Sequence, residues 1–315
     1  MRVAVVVPNW NGRRWLPGLV ASLDAQTRAP DEVVVVDNGS TDDSVAWLRE
    51  RSVRVVEIGT NTGFAHAVNV GFAAVTAEAV ALLNTDVELD PDWIARAVAP
   101  LERYAGLAAV ATKMVLLRDP GVLDDAGDTL RRDGVAEQRG HGRPDGPRFS
   151  RAGEVFSACA GAAVYRRAAV LAVGGFDERF GSYLEDVDLG LRLRLRGARC
   201  WYEPVVARHA RHGSAADELP AIDALVARNT LLLVAKAFPL RWLPLVAYRQ
   251  AAWAWHALRE RRLRAHLGGL LAAVPLLPAM WRDRRRVRGP VDVADAVPAR
   301  PWRGPAAGGH PESPE

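Results

Sequence analysis

The chain has 315 residues, with 49% hydrophobic and 25% charged side chains, which is the composition of an ordinary globular protein. Its length allows one large α/β domain with an appendage, or two domains. Its two cysteines, Cys159 and Cys200, exclude a disulfide framework and a cysteine metal site, so a reducing cytoplasmic setting is expected.

Charge is unevenly distributed along the chain, although the formal net charge is only +4. Residues 241–288 contain 11 Arg and two acidic residues, Glu260 and Asp283. The apolar run in the first eight residues is too short for a signal peptide and indicates a first strand instead. The basic character therefore belongs to the C-terminal part of the chain.

Short apolar runs alternate with helical patterns in the first part of the chain. Buried strands are predicted at 3–7, 33–36, 53–58 and 79–83. Helices are predicted at 15–23, 40–48 and 64–75. This alternation predicts an α/β fold with a mostly parallel sheet flanked by helices.

Four polar, mostly glycine-containing loops follow the predicted strands. In open α/β sheets the ligand lies beyond the carboxyl ends of the strands, so these loops are expected to carry the functional residues. They are Pro8-Asn9-Trp10-Asn11-Gly12, Asp37-Asn38-Gly39-Ser40, Gly59-Thr60-Asn61-Thr62-Gly63 and Asn84-Thr85-Asp86.

The middle of the chain contains a long irregular stretch. After a helix that begins near Pro91, residues 118–153 are rich in Gly, Pro, Arg and Asp and lack periodicity. Such a length is typical of a lid, a binding loop or small extra hairpins. Regular secondary structure is expected again at 155–165, and a further helix is predicted at 189–196. These boundaries predict a catalytic domain at 1–220.

Two strand-end aspartates suit the binding of a nucleotide diphosphate. Asp86 follows a buried strand, where a carboxylate can hold a divalent cation that bridges two phosphate oxygens. Asp37 can accept a hydrogen bond from the imide N–H of a uracil or thymine ring. Each also has a purely structural interpretation, as a helix cap for Asp86 and as a turn residue for Asp37.

Six motifs occur in order between residues 1 and 215. They are Val7-Pro8-Asn9-Trp10-Asn11-Gly12, Val36-Asp37-Asn38-Gly39-Ser40-Thr41-Asp42, Asn61-Thr62-Gly63-Phe64-Ala65 with Asn69 and Gly71, Leu83-Asn84-Thr85-Asp86, Gly174-Gly175-Phe176-Asp177-Glu178 and Glu185-Asp186-Val187-Asp188-Leu189. In order and spacing these motifs resemble the family 2 glycosyltransferases of the GT-A fold, especially the bacterial rhamnosyltransferase-like branch.

The resemblance implies a role for each motif. It implies that Asp186 is the catalytic base, that Asp86 holds Mg²⁺ or Mn²⁺, and that Pro8, Asn9 and Asp37 flank the nucleotide base. Further donor contacts are implied at Asn11, Gly39, Asn61, Gly63, Asn69, Asn84, Thr85, Gly161 and Glu185. A helix N-terminus, where the macrodipole favours acidic residues, is the structural alternative for the acids at 185 and 186.

The metal motif departs from the family's usual Asp-x-Asp pattern, because Asn84 occupies its first position. Fewer carboxylates weaken the binding of a hard cation. The family also has a late His followed by Gly and Ser, for which this sequence offers His209 and His212 as metal ligands. His209 is favoured, because the family's His precedes its Ser by several residues. A surface His without a metal is the alternative.

The segment 221–288 is predicted to be helical and combines Trp with clusters of Arg. Two interpretations stay open, a cap packed on the enzyme or interfacial helices on an anionic cytoplasmic membrane face. The run 267–281 is interrupted by proline and too short for a secure membrane span. Residues 289–315 are predicted to be a disordered tail. Nucleic-acid binding is not expected, since no recognised binding fold accompanies the arginines.

The sequence thus predicts a metal-dependent, inverting glycosyltransferase of cell-surface polysaccharide synthesis, located in the cytoplasm at the inner face of the cell membrane. The resemblance favours deoxythymidine-diphosphate rhamnose (dTDP-rhamnose) as donor and a glycan or polyprenyl-linked acceptor. A sugar nucleotidyltransferase is one alternative, but residues 8–12 lack its Gly-rich phosphate-binding loop with Arg. A nucleotide-sugar-binding protein without catalysis is the other, and the intact Asp37, Asp86 and Asp186 count against it.

Overall fold

The computed structural model describes residues 1–211 and 219–298, which form one α/β assembly with a C-terminal group of helices. The strands are β1 (Val3–Asn9), β2 (Glu32–Asp37), β3 (Arg54–Glu57), β4 (Ala79–Leu83), β5 (Val87–Leu89), β6 (Leu107–Leu116), β7 (Asp119–Asp125), β8 (Asp128–Leu130), β9 (Ala136–Gln138), β10 (Gly153–Val155), β11 (Ala162–Arg166) and β12 (Arg199–His209).

Helices connect most of these strands and follow the last one. They are α1 (Leu16–Asp24), α2 (Ser44–Glu50), α3 (Phe64–Ala74), α4 (Trp93–Arg103), α5 (Arg167–Ala172), α6 (Glu185–Leu195), α7 (Leu219–Ala237), α8 (Leu243–Arg259), α9 (Leu263–Ala273), α10 (Leu277–Val287) and α11 (Val293–Ala296).

The central sheet has the strand order β10-β12-β6-β11-β4-β1-β2-β3. Strands β3, β2, β1, β4, β6 and β12 run in one direction, and β11, between β4 and β6, runs in the other. The mostly parallel sheet is therefore confirmed. The four predicted strands match β1 to β4, because strands that are covered on both faces have nearly continuous Val and Leu runs.

Helices cover both faces of this sheet. Helices α3, α5 and α6 pack on one face, and α1, α2 and α4 pack on the other, each forming a buried apolar layer. A third apolar cluster lies between α6 and the C-terminal helices and includes Phe180, Leu191, Leu233 and Phe238. Segment 177–195 is thus enclosed between the sheet and the C-terminal helices.

Two helices begin elsewhere than predicted. Helix α2 begins at Ser44 and not near Ser40, because the Ser40 side chain is bonded to Asp37 and closes the turn after β2. Helix α6 begins at Glu185 and not at Leu189, so the acidic run forms its first turn. Acidic side chains are favoured there by the helix dipole.

The stretch 118–153 consists of small strands. Strand β7 pairs antiparallel with β6, and β8 and β9 form a two-stranded sheet. Of the three predicted possibilities, small extra hairpins are confirmed. This arrangement brings the consecutive acids Asp124 and Asp125, and nearby Asp128, to the carboxyl-end edge of the sheet.

The C-terminal helices pack on the enzyme along one side only. Ala273, Met280 and Val287, spaced seven residues apart, are buried in the third apolar cluster. The segment Leu263–Val287 is apolar and long enough to cross a membrane by length and composition alone, and 22% of its most apolar stretch is buried. Within the predicted tail, α11 packs on α6, and residues 299–315 lie outside the described residues.

Gly71 sets the distance between α3 and the sheet. A Cβ atom at this position would lie 2.2 Å from Val6 Cγ1 and 3.2 Å from Val36 Cγ2. Both valines are buried in strands, and β-branched side chains have little rotamer freedom. We expect Gly71→Ala to lower the free energy of unfolding by about 1–3 kcal/mol, measured by urea denaturation.

Gly268 provides the matched control, because it lies in α9 with open space around the position of a Cβ atom. Gly268→Ala should leave the stability unchanged or raise it by up to about 1 kcal/mol, since Ala is the better helix former. Equal effects of the two substitutions would contradict the packing account of Gly71.

Candidate active site

A cleft of about 640 Å³ opens at the carboxyl end of the sheet. The first turn of α6, the ends of β4 and β12, the β7–β9 segment and one residue of α7, Val226, contribute to its walls. Six of the predicted site residues line this cleft, namely Asn84, Asp86, Gly161, Glu185, Asp186 and His209. Residues separated by more than a hundred positions in the sequence therefore meet in one place.

Asp86 and His209 meet because β5 pairs with β12, which places His209 opposite Val87. His209 Nε2 lies 3.2 Å from Asp86 Oδ1, and Nδ1 lies 2.6 Å from Asp124 Oδ2. The helix-cap interpretation of Asp86 is wrong, since β5 separates it from α4. The surface interpretation of His209 is also wrong, because its side chain is only 14% exposed.

The pKa of His209 reflects its two carboxylate neighbours. Burial by itself lowers this pKa, but the hydrogen bonds and negative charges of Asp124 and Asp86 outweigh the burial and raise it to about 9. At neutral pH the imidazole is therefore protonated, and it neutralises part of the acidic charge of the cleft.

The donor set fits a divalent cation. Two ligand atoms that bind one ion at about 2.1 Å lie about 3 Å apart when they are at right angles, which agrees with the Asp86–His209 distance. A carboxylate on the second ring nitrogen, as Asp124 provides, orients a metal-bound His. Among residues 1–211 and 219–298 no group of three His, Cys, Asp or Glu side chains could hold a metal ion, so substrate oxygens and water would complete the shell.

Asp186 lies in the first turn of α6, is partly buried and lines the cleft. Its Oδ2 accepts a hydrogen bond from Ala160 N at 3.1 Å, and its Oδ1 accepts one from Val187 N at 2.8 Å. Burial raises the pKa of this carboxyl, and the two backbone hydrogen bonds limit the increase. A fixed carboxylate with a raised pKa is suited to accept a proton.

Buried acids lie near Asp186, and sequence reasoning missed Asp125 and Asp128, as it missed Asp124 beside His209. Burial and the charges of Asp124 and Asp186 raise the pKa of Asp125 to about 7, against a hydrogen bond from Gly127 N. Burial and nearby charges also raise the pKa of Asp128 and of Glu185 well above the usual range. The run Asp124-Asp125 with Asp128, inside the irregular stretch, was the available signal.

A second group of predicted residues lies at the ends of β1 and β2. Asp37 Oδ1 accepts hydrogen bonds from Asn9 Nδ2 at 2.8 Å and from Ser40 Oγ at 2.6 Å. Asn11 Oδ1 accepts one from Thr41 N at 2.7 Å. Asp37 therefore closes the turn, as its structural interpretation held, and it also joins the loops after β1 and β2. Pro8 precedes Asn9 in β1, opposite Val36.

The loop after β3 is joined to the loop after β2. Asn38 Nδ2 donates to Asn61 Oδ1 at 3.1 Å, and Asn38 Oδ1 accepts from Thr62 N at 2.9 Å. Gly39 has a φ of 78°, and a Cβ atom there would lie 2.6 Å from Thr60 Cα. Gly63, with a φ of 91°, precedes α3. This close approach requires glycine at position 39.

Two predicted site residues lie elsewhere, and a third falls outside the described residues. Asn69 does not line the cleft; it donates to Phe176 O and accepts from Phe176 N, both at 2.8 Å, and so holds the turn after α5. Thr85 packs beside Gly12 in the loop after β4. His212 lies outside the described residues.

The fold is that of a GT-A glycosyltransferase, and comparisons with known proteins agree. The family model for glycosyl transferase family 2 matches residues 4–174, which is more than half of the chain. The chain belongs to glycosyl transferase family 2. The family predicted from the six motifs is thereby confirmed.

Two curated relatives of this chain also belong to polysaccharide synthesis or carry the name of a rhamnosyltransferase. The chain is 34% identical over 239 residues to the O-antigen biosynthesis protein RfbC of Myxococcus xanthus, which covers 70% of this chain but only 18% of that protein. It is 30% identical over 313 residues to N-acetylglucosaminyl-diphospho-decaprenol L-rhamnosyltransferase of Mycobacterium tuberculosis, covering 90% of this chain and 95% of that protein. These relatives support the predicted rhamnosyltransferase-like branch.

The solved structure of the mannosyltransferase PcManGT from Pyrobaculum calidifontis, in complex with GDP-Man and Mn²⁺, is similar to this chain with a TM-score of 0.57. The similarity covers 91% of this chain and 80% of that one at 21% identity. At this identity the likeness shows the fold, and it confirms the predicted GT-A architecture.

The protonation of His209 makes a prediction about metal binding. An imidazolium must lose its proton before it can bind a cation, so each bound ion should release about one proton below pH 9. We expect the affinity for Mn²⁺, measured by isothermal titration calorimetry, to rise about tenfold per pH unit between about pH 6.5 and 8.5. His209→Ala should bind Mn²⁺ more weakly and without this slope. A pH-independent affinity of the unaltered protein would show that His209 is not a ligand.

Proposed function

We propose that this glycosyltransferase transfers rhamnose from dTDP-rhamnose, with inversion and with the aid of Mg²⁺ or Mn²⁺, to a glycan or polyprenyl-linked acceptor of cell-surface polysaccharide synthesis. One observation carries the chemical part of the proposal. The carboxylate of Asp186 lines the same cleft as the cation-compatible pair Asp86 and His209. A base and a leaving-group site that share one cleft are what a single displacement needs.

In this proposal Asp186 accepts the proton of the acceptor hydroxyl. The acceptor oxygen forms a bond to the anomeric carbon while the bond from that carbon to the phosphate oxygen breaks, and the nucleoside diphosphate leaves with the electron pair. Each Asp186 oxygen accepts one backbone hydrogen bond and keeps further acceptor capacity. A cation held by Asp86 and His209 would supply positive charge beside the leaving diphosphate.

Donor contacts are assigned to the strand-end loops. Asp37 is held in place by Asn9 and Ser40, and its Oδ2 accepts only Ser40 N among the hydrogen bonds of the described residues, so it can also accept from the imide N–H of thymine. Asn84 and Gly161 line the cleft beside Asp86 and are assigned to the donor sugar. Glu185, whose raised pKa favours the neutral acid, is assigned as a donor-sugar contact.

The choice of rhamnose and of a lipid-linked acceptor rests on the mycobacterial relative, whose name states both. The similarity to this chain covers 95% of that protein. The alternatives of a nucleotidyltransferase and of a protein without catalysis gain no support from the cleft. Because the proposed donor is a nucleotide sugar and the proposed acceptor is lipid-linked, we propose that the enzyme acts in the cytoplasm at the inner face of the cell membrane.

Membrane association has its own support in the C-terminal helices. Tyr248 and Trp255 on α8 are 74% and 64% exposed and lie seven residues apart on one face, and Leu267 and Leu271 form a similar stripe on α9. The arginines of 241–288 surround these stripes in the sequence and suit anionic headgroups. Because α9 and α10 pack along α7, we propose that they lie on the membrane and do not cross it.

A screen of nucleotide sugars with Mn²⁺ should identify dTDP-rhamnose as the substrate with the highest turnover.

Substitutions of the two key aspartates test the proposed chemistry. Asp186→Asn should lower kcat by about 100-fold or more with donor binding almost intact, since it removes only the base. Asp86→Ala should weaken metal-dependent donor binding, measured by calorimetry. Full turnover by Asp186→Asn would disprove the base assignment.

Exposed aromatic substitutions test the membrane proposal. We expect the protein to sediment with vesicles of phosphatidylglycerol and much less with phosphatidylcholine alone, because the arginines need anionic lipid. The double variant Tyr248→Ser with Trp255→Ser should lose most of this binding while it keeps its turnover on a soluble acceptor. Equal sedimentation of the variant and the parent protein would refute a role of α8 in membrane binding.

A further inference from the structure

The short loop that leads into α6 has an unusual backbone. Tyr183 and Leu184 have φ values of 69° and 65°, and both are in the left-handed region that L side chains rarely adopt. Leu184 directly precedes Glu185 and Asp186, and it is the N-cap residue of α6 without a side-chain cap. Non-glycine residues persist in this conformation only where surrounding contacts hold them.

The contacts that hold this loop come largely from the C-terminal helix α7. Asn229 Nδ2 donates to Phe180 O at 3.0 Å, to Ser182 O at 2.9 Å and to Tyr183 O at 2.7 Å. The intervening carbonyl of Gly181 accepts from Ala65 N on α3 at 3.0 Å. Every backbone carbonyl from 180 to 183 therefore has a donor within hydrogen-bond distance, and the two N–H groups of Asn229 Nδ2 are shared among three of the four.

Neighbouring residues of α7 extend this support. Arg228 Nη2 donates to Arg179 O, at the start of the same loop. Nearer the C-terminal end of α7, Lys236 Nζ lies 2.7 Å from Asp188 Oδ1, and Asp188 belongs to the first turn of α6. Helix α7 thus contacts the segment on both sides of Asp186, whereas the hydrogen bonds of the Asp186 side chain to Ala160 N and Val187 N involve no residue of α7.

Burial makes these bonds effective. Asn229 is fully buried, with 0% of its surface exposed, so water cannot replace its amide as a donor to the three carbonyls. Without the amide, the carbonyls of Ser182 and Tyr183 would turn towards the water of the cleft, and the left-handed pair would relax. Such a change moves the start of α6 and with it the Asp186 carboxylate.

We propose that Asn229 is a positioning residue for the transfer reaction, which fixes the loop 180–184 and so holds the Asp186 carboxylate at the acceptor hydroxyl. The inference rests on the proposed role of Asp186 as the base. Helix α7 would then support catalysis, although it lies C-terminal to the last strand of the sheet, β12. Asn229 does not line the cleft, so it acts only through the loop.

Substitution of Asn229 with a matched neighbour as control tests the inference. Asn229→Ala and Asn229→Asp both remove the amide donor, and we expect kcat with dTDP-rhamnose to fall about 10- to 100-fold because the base is displaced. The KM for the donor, and the binding of dTDP with Mn²⁺, should stay close to the parent values, since Asp37, Asp86 and His209 are untouched.

Thr230→Val is the control, because Thr230 is 1% exposed, adjacent in α7, and its hydroxyl has no hydrogen-bond partner among residues 1–211 and 219–298. It should retain the parent kcat. A loss of kcat confined to Asn229 variants that stay folded, with unchanged hydrogen exchange in β1 and β4, supports the positioning role. Asn229 variants with the same kcat as Thr230→Val would overturn it.

Amide hydrogen exchange gives a second readout that does not depend on the donor. Exchange at residues 182–187 should be at least about tenfold faster in Asn229→Asp than in Thr230→Val, with unchanged exchange in β1 and β4. Unchanged exchange at 182–187 would overturn the proposal even if the enzyme used another sugar. A parent enzyme that transfers no sugar from any donor would instead refute the proposed function and leave the exchange result to decide the role of Asn229 in holding the loop.

Discussion

Repulsion between carboxylates that share one poorly solvated cleft is the constraint on which the rest of this structure depends. Asp86, Asp124, Asp128 and Asp186 line it, and Asp125 is buried close by. Burial together with mutual repulsion raises the pKa of Asp125 and Asp128, and burial raises that of Asp186. Such a cluster persists only with compensating positive charge or protons. His209, protonated between two of the acids, supplies part of this charge and leaves a cleft that favours a cation.

The sheet topology makes this concentration of acids feasible. The acids that line the cleft come from the loop after β4, from β7, from β8 and from α6, so the strands can keep their backbone pairing while the side chains converge. The β5–β12 pairing sets the Asp86–His209 distance, and the β6–β7 pairing brings Asp124 to the other side of the imidazole. Asp186 comes from a helix N-terminus, where the dipole and two backbone N–H groups stabilise its negative charge.

The C-terminal helices are part of the enzyme and not a separate appendage. Helix α7 packs on α6 through the third apolar cluster, and a buried network joins Lys236 to Asp177 and Asp188. Removing one member of such a network leaves an uncompensated buried charge, so α6 and α7 are expected to unfold together. Membrane contact through α8 and α9 would therefore act on a helix that also touches the active-site loop.

The sequence by itself determined the first four strands and the family, because buried strands and ordered motifs leave local patterns. It also predicted roles for Asp86, Asp186 and His209, which the structure brings into one cleft. It did not reveal Asp124 or Asp128, since the irregular stretch has no periodicity, and it assigned Asn69 to the donor although this residue holds the turn after α5. Only the tertiary structure decided that the C-terminal helices pack on the enzyme and that Asn229 supports the Asp186 loop. Those contacts join segments far apart in the chain, and no local pattern records which distant carbonyls a buried amide will meet.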